Sequence, residues 1–159
     1  MTYATLMVHL DLGRSNAGLL RVAGDIAERL NAGVIGIAVC QPMQLAYGGG
    51  FYGGGSMSGD LIAQDMAEIE KEFKKVEAEF RSALQSRAGS LEWRAMSPIG
   101  SLPYILAGEA RSADLVITGV DAGASLLDTA RHVSRGDLVM QVGRPVLIVP
   151  ASIEKFKLE

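Results

Sequence analysis

Short uncharged runs rich in branched side chains alternate along this chain with longer stretches in which apolar residues recur every three or four positions. Thr5 to Leu10 reads as a strand buried on both faces, ending at Asp11-Leu12-Gly13. From Ser15, in N-cap position, Leu19, Val22, Ala23, Ile26 and Leu30 recur with Arg21, Asp25, Glu28 and Arg29 between them, which predicts an amphipathic helix stopped by Asn31 and Gly33. Val34 to Cys40 is a second strand, closed by Pro42. Residues 41 to 58 have no periodicity and are rich in Gly, Tyr and Met, as a mobile surface loop would be.

Ile62, Met66, Ile69, Phe73, Val76, Phe80 and Ala83 then advance by alternating steps of four and three. That spacing would suit a coiled coil, but beside strong strand signals it predicts one helix lying on a sheet, with Glu70 and Lys74 as an i,i+4 pair. Leu91 to Met96 alternates with period two, like an edge strand exposed on one face, and Pro98 and Gly100 end it. A short helix follows through Pro103, Tyr104, Ile105, Leu106 and Ala110, and Asp114 to Gly119 is a fourth strand. After a turn from Val120 to Ala124, a fourth helix is expected to carry Leu126, Leu127, Ala130, Val133, Leu138, Val139 and Val142. Pro145 to Pro150 is the fifth strand, its prolines suiting a sheet edge. Strands alternating with helices in this way demand a parallel sheet with right-handed crossovers. The expected fold class is therefore α/β, a doubly wound, Rossmann-like five-stranded parallel sheet of order 3-2-1-4-5 with helices on both faces. Ligands of such sheets sit where the strand order reverses. Here that is between the loop Asp11 to Ser15 and the loop Gly119 to Ser125.

Composition narrows the partners. The 159 residues, 48% hydrophobic and 21% charged, suit one globular domain over 1–150, with 151–159 as a tail or the start of a linker. A net charge of −3 with scattered Lys and Arg argues against nucleic acid. The one cysteine, Cys40, excludes an intrachain disulfide and reads as a small buried thiol in a reducing, cytoplasmic setting. Met1 to Ala4 lacks the features of a secretory leader. Residues 32 to 59 carry no charge, but Gln41, Pro42, Gln44 and six glycines between 48 and 55 oppose a membrane span.

The run Ala113-Asp114-Leu115-Val116-Ile117-Thr118-Gly119, followed 26 residues later by Pro145-Val146-Leu147-Ile148-Val149-Pro150, resembles the universal stress protein family. Val8-His9-Leu10-Asp11 and Gly33-Val34-Ile35-Gly36-Ile37 add to the likeness, which spans the chain. The resemblance implies a nucleotide crevice in which Asp11 contacts the nucleoside; capping of the following turn by its own carboxylate is the competing role. ATP-binding members are expected to carry Gly, two residues, Gly, nine residues, Gly and then Ser or Thr, so that backbone amides and a hydroxyl meet the phosphates. Counted from Gly119, this chain has Ala122 at the second glycine and His132-Val133 at the final pair. Asp121 adds negative charge in the same loop. A one-residue slip would recruit Gly123, and Ser134, Arg131 or Arg135 could replace the lost donors, although Arg131 and Arg135, i,i+4 on one predicted helix, suit a solvated face better.

The expectation is a non-enzymatic stress-response domain that acts by association, has a degraded nucleotide motif and holds no tight cofactor. An ATP- or AMP-binding switch using the crevice is the alternative. His9 reads as a core histidine, Ser15 and Ser125 as helix caps, and no P-loop lysine, GxSxG elbow or metal cluster supports a hydrolase. The three aromatics of the Gly-rich stretch could form a lid or partner-binding arm, or only an exposed connection. The resemblance also implies pairing through Val146, Leu147, Ile148 and Val149, as a homodimer or with a second like domain, and a client protein as partner.

Overall fold

The first strand lies at the centre of the sheet, which is why its run of apolar residues has no polar face. In a computed structural model, which describes residues 3–42, 59–121, 131–153 and 156, β1 (Thr5–His9) is flanked by β2 (Gly33–Val39) and β4 (Leu115–Gly119). The five-stranded parallel sheet is completed by β3 (Leu91–Met96) outside β2 and β5 (Val146–Val149) outside β4, the order being β3-β2-β1-β4-β5. Among the described residues the helices are α1 (Ala17–Leu30), α2 (Gly59–Leu84), α3 (Leu102–Glu109) and α4 (Arg135–Gln141). The doubly wound architecture and strand order expected from the sequence are those observed. The Gly-rich stretch 43–58 lies outside the described residues.

Alternation along each strand sends side chains to two cores. Leu6, Val8, Leu10, Val34, Leu115 and Ile117 meet α1 and α2 on one face. Met7, Ile35, Ile37 and Val116 meet α3 and α4 on the other. The stripe of α2 packs as one helix on a sheet, with Ile69, Val76, Phe80 and Leu84 buried. Its Glu70–Lys74 pair is present at 3.3 Å on the exposed side. Phe80 lies over Gly36 and beside Trp93, the two rings 5.5 Å apart between centroids. A Cβ at Gly36 would fall 2.8 Å from both aromatic side chains, so only glycine lets α2 approach β2 this closely.

Two local readings change. Asn16, not Ser15, is the N-cap of α1, and its backbone carbonyl accepts the first helical bond from the Leu20 N–H. The Ser15 hydroxyl accepts from the Ala17 N–H, at 3.4 Å. The fourth helix expected to carry Val133 does not include it: residues 131–134 are non-helical, and α4 begins at Arg135. Ser134 stops the helix from reaching back, because it is extended and its hydroxyl accepts from the Asp137 N–H at 3.3 Å. Leu126, Leu127 and Ala130 lie outside the described residues. Beyond β5, Ile153 and Phe156 pack against the core on the α1 side. Among the described residues no helix is long and apolar enough to cross a membrane.

Candidate functional site

At the carboxyl ends of β1 and β4 the chain brings together Asp11, Gly119, Asp121 and Arg135. The loop after β1 is held by Asn16, whose side chain accepts from the Asp11 N–H at 3.1 Å and donates to the Asp11 carbonyl at 3.0 Å. The Asp11 carboxylate therefore does not cap its own turn. It takes an ion pair from Arg135 Nη2. The same guanidinium donates from Nε to the Gly119 carbonyl at 3.0 Å and from Nη1 to the Val133 carbonyl at 2.6 Å, with Asp121 Oδ1 3.4 Å from Nη1. Arg135 is 4% exposed and Asp11 8%. Arg135 is thus a buried tie between β1, β4 and the start of α4, which corrects its reading as part of a solvated helical face. Arg131 precedes α4 and is not on it. Its Nη2 lies 3.0 Å from Asp65 Oδ1 on α2 and 3.8 Å from Cys40 Sγ.

The other motif positions divide between core and solvent. Val133 is buried in the core among the residues of α3 and α4, so its side chain does not line the crevice. His132 is half-buried and lines a polar cavity of about 190 Å³ with Gln41, Ser101, Ser134 and Asp137. Ser134, one residue later, has a hydroxyl, but it caps α4 by accepting from the Asp137 N–H. Among the described residues the nearest atom to a Cβ built at Gly119 is Asp11 Oδ2, at 4.0 Å. Ala122, Gly123 and Ser125 lie outside the described residues.

His9 pairs in register with Thr118, and His9 Nδ1 is 3.1 Å from Thr118 Oγ1, both side chains buried. Burial lowers its pKa from 6.5 to about 4, opposed by Asp11 and assisted by Arg135 and His132. A neutral, enclosed imidazole hydrogen-bonded to a threonine of the neighbouring strand is a core group, as its sequence reading expected. The unfolded chain binds a proton at His9 that the folded chain refuses between pH 6.5 and 4. The stability this residue contributes is therefore complete above 6.5 and falls with pH, by on the order of 3 kcal/mol at pH 4. Urea titrations from pH 7 to pH 4 on His9→Gln should show a shallower acid loss than the parent chain; equal slopes would refute the assignment.

Cys40 is a buried free thiol, its pKa raised by burial and held back by Arg131, as its reading as a small apolar residue anticipated. Among the described residues there is no group of three His, Cys, Asp or Glu side chains able to hold a metal ion.

The sequence named Arg135 but not its pairing with Asp11, because the two lie 124 residues apart. No local pattern marks such a pair; the one available signal was a Ser134 cap signature three residues before Asp137.

Neither a protein-family model nor a curated protein matches the chain. Solved structures do. The universal stress protein UspA from Lactobacillus plantarum is 16% identical with a TM-score of 0.68, over 94% of this chain and 99% of that one. A universal stress protein in complex with cAMP is 21% identical with a TM-score of 0.57, covering 96% and 100%. The universal stress protein from Archaeoglobus fulgidus in complex with dAMP is 17% identical with a TM-score of 0.57, covering 94% and 99%. The fold is that of the universal stress proteins across nearly the whole chain.

Proposed function

We propose that this chain is a universal stress protein family domain that works in the cytoplasm by association, not catalysis, and that its crevice holds adenine nucleotides only weakly. The observation that carries this reading is the Arg135 guanidinium lodged against Asp11 and the Gly119 carbonyl, where a nucleoside and its phosphates would have to enter. The second reading, an ATP- or AMP-binding switch, is favoured by the relatives solved with cAMP and dAMP. Calorimetric titration with ATP and magnesium separates the two. A dissociation constant no tighter than the high micromolar range is expected, and a low-micromolar value would favour the switch.

Association is assigned to β5, as a homodimer or with a second like domain, and the client protein would be met by the assembled form. Among the described residues β5 is paired on one side only, to β4. Its Ile148 is 42% exposed, whereas Val149 is buried and Val146 and Leu147 are half-buried. An uncovered apolar edge strand is an association hazard that native chains cover. Light scattering at micromolar concentration should find a dimer, and Ile148→Lys, which leaves the monomer core untouched, should shift it toward monomer through an unpaired charge at the seam. A monomeric parent chain would defeat the assignment.

A further inference from the structure

Helix α2 is longer than the sheet it lies on. Its 26 residues span about 39 Å at helical rise, whereas the seven of β2 span about 23 Å. The buried residues of α2 begin only at Ile69. Across 59–68 every residue is exposed except Ile62 and Asp65, which are half-buried and share a helical face with Ile69. These first turns overhang the carboxyl end of β2 with little apolar contact to hold them, and a helix end of that length is marginal without packing.

A charged contact reaches them from the other layer of the sheet. Arg131 stands in the segment that leads into α4, and that segment is anchored: Val133 is buried in the core of α3 and α4, and Arg135 is tied to Asp11. From this post the guanidinium of Arg131 meets Asp65 and Cys40 together, Nη2 lying 3.0 Å from Asp65 Oδ1 and 3.8 Å from Sγ of Cys40, the residue after β2. The Arg131 and Asp65 side chains are 22% and 12% exposed, so solvent screens this pair less than the surface pairs Lys71–Glu68 and Lys74–Glu70 of the same helix. Cys40 itself is 3% exposed.

We propose that the Asp65–Arg131 pair is a latch that fastens the overhanging turns of α2 to the opposite layer of the sheet, and that its release frees those turns and uncovers Cys40 in one event. The helix end is the moving part, because residues 59–68 have no buried side chain while Arg131 is held by its neighbours. Access to the chain's single thiol then follows local opening at 59–68 and not global unfolding.

Two readouts on the native chain test this: the rate at which Cys40 reacts with dithionitrobenzoate, and amide hydrogen exchange in 60–68 and in 76–84. Asp65→Asn and Arg131→Gln, each checked for folding by circular dichroism, should raise the thiol rate and exchange in 60–68 together by about tenfold, the scale of a charge-assisted hydrogen bond lost. Exchange in 76–84, where α2 is packed on the sheet, should stay within about twofold. The double variant should go no further than the larger single change, since both remove the same pair. A faster thiol with unchanged exchange in 60–68 overturns the proposal, because only the charge or cover beside the sulfur has then changed. So does a rise that is equal in 60–68 and 76–84, which marks a general loss of stability, and so does no change in either readout. Asp65→Asn, which keeps the size of the side chain, decides alone if Arg131→Gln fails to fold.

Discussion

Arg135→Ala is expected to lower folding stability by about 3–5 kcal/mol, the range for breaking a buried ion pair from one side. The loss does not come chiefly from the attraction removed. It comes from what stays behind: a carboxylate on Asp11 that is 8% exposed, and carbonyls of Gly119 and Val133 that lose their donor in a place water reaches poorly. The element affected should be α4, because Arg135 is its first residue and the only tie the seven-residue helix makes through a charged side chain to the loop after β1 among the described contacts. Urea unfolding at pH 7 measures the loss. Arg94→Ala is the comparison, since Arg94 also bonds two carboxylates, Glu92 and Glu109, but at the surface of an edge strand. It should cost no more than about 1 kcal/mol. Comparable losses at the two arginines would mean that burial of the Arg135 pair is not what matters.

Phe80→Ala should lower stability by a similar amount, about 3–5 kcal/mol, for a different reason. Phe80 has no exposed surface, and it fills the space that Gly36 leaves between α2 and β2 while its ring lies against Trp93. Truncation removes the apolar contact and leaves a void that a long helix on a rigid sheet cannot close. Gly36→Ala attacks the same contact from the strand side, by placing a methyl 2.8 Å from both rings, and should cost about 1–3 kcal/mol through overpacking. Combined, the two changes should cost less than their sum, because the methyl of Ala at position 36 enters the space vacated by the ring. Additivity in a double-mutant cycle would show that Phe80 and Gly36 do not share one packing site.

Secondary structure was legible wherever a local period carried it. The branched runs at 5–10, 34–40 and 114–119 became the three inner strands because a strand covered on both faces has no polar position to break its pattern. The three-and-four stripe from Ile62 to Ala83 became α2 because only one side of a helix meets the sheet. Parallel strands, and with them the topology, followed from the alternation of elements. The place of the crevice followed as well, since reversal of strand order beside β1 is a property of the winding and not of any side chain.

What local spacing does not contain is which side chain a fold brings to a buried charge. Arg131 and Arg135 look alike in the sequence, four residues apart in one apolar pattern, yet the Ser134 cap begins the helix between them and separates their fates. Arg131 turns to Asp65 and Cys40, and Arg135 turns inward to Asp11. The contents of the crevice were decided by tertiary structure alone, because the desolvation that makes a buried carboxylate demand a partner exists only once the chain has closed around it, 124 residues from the arginine that answers.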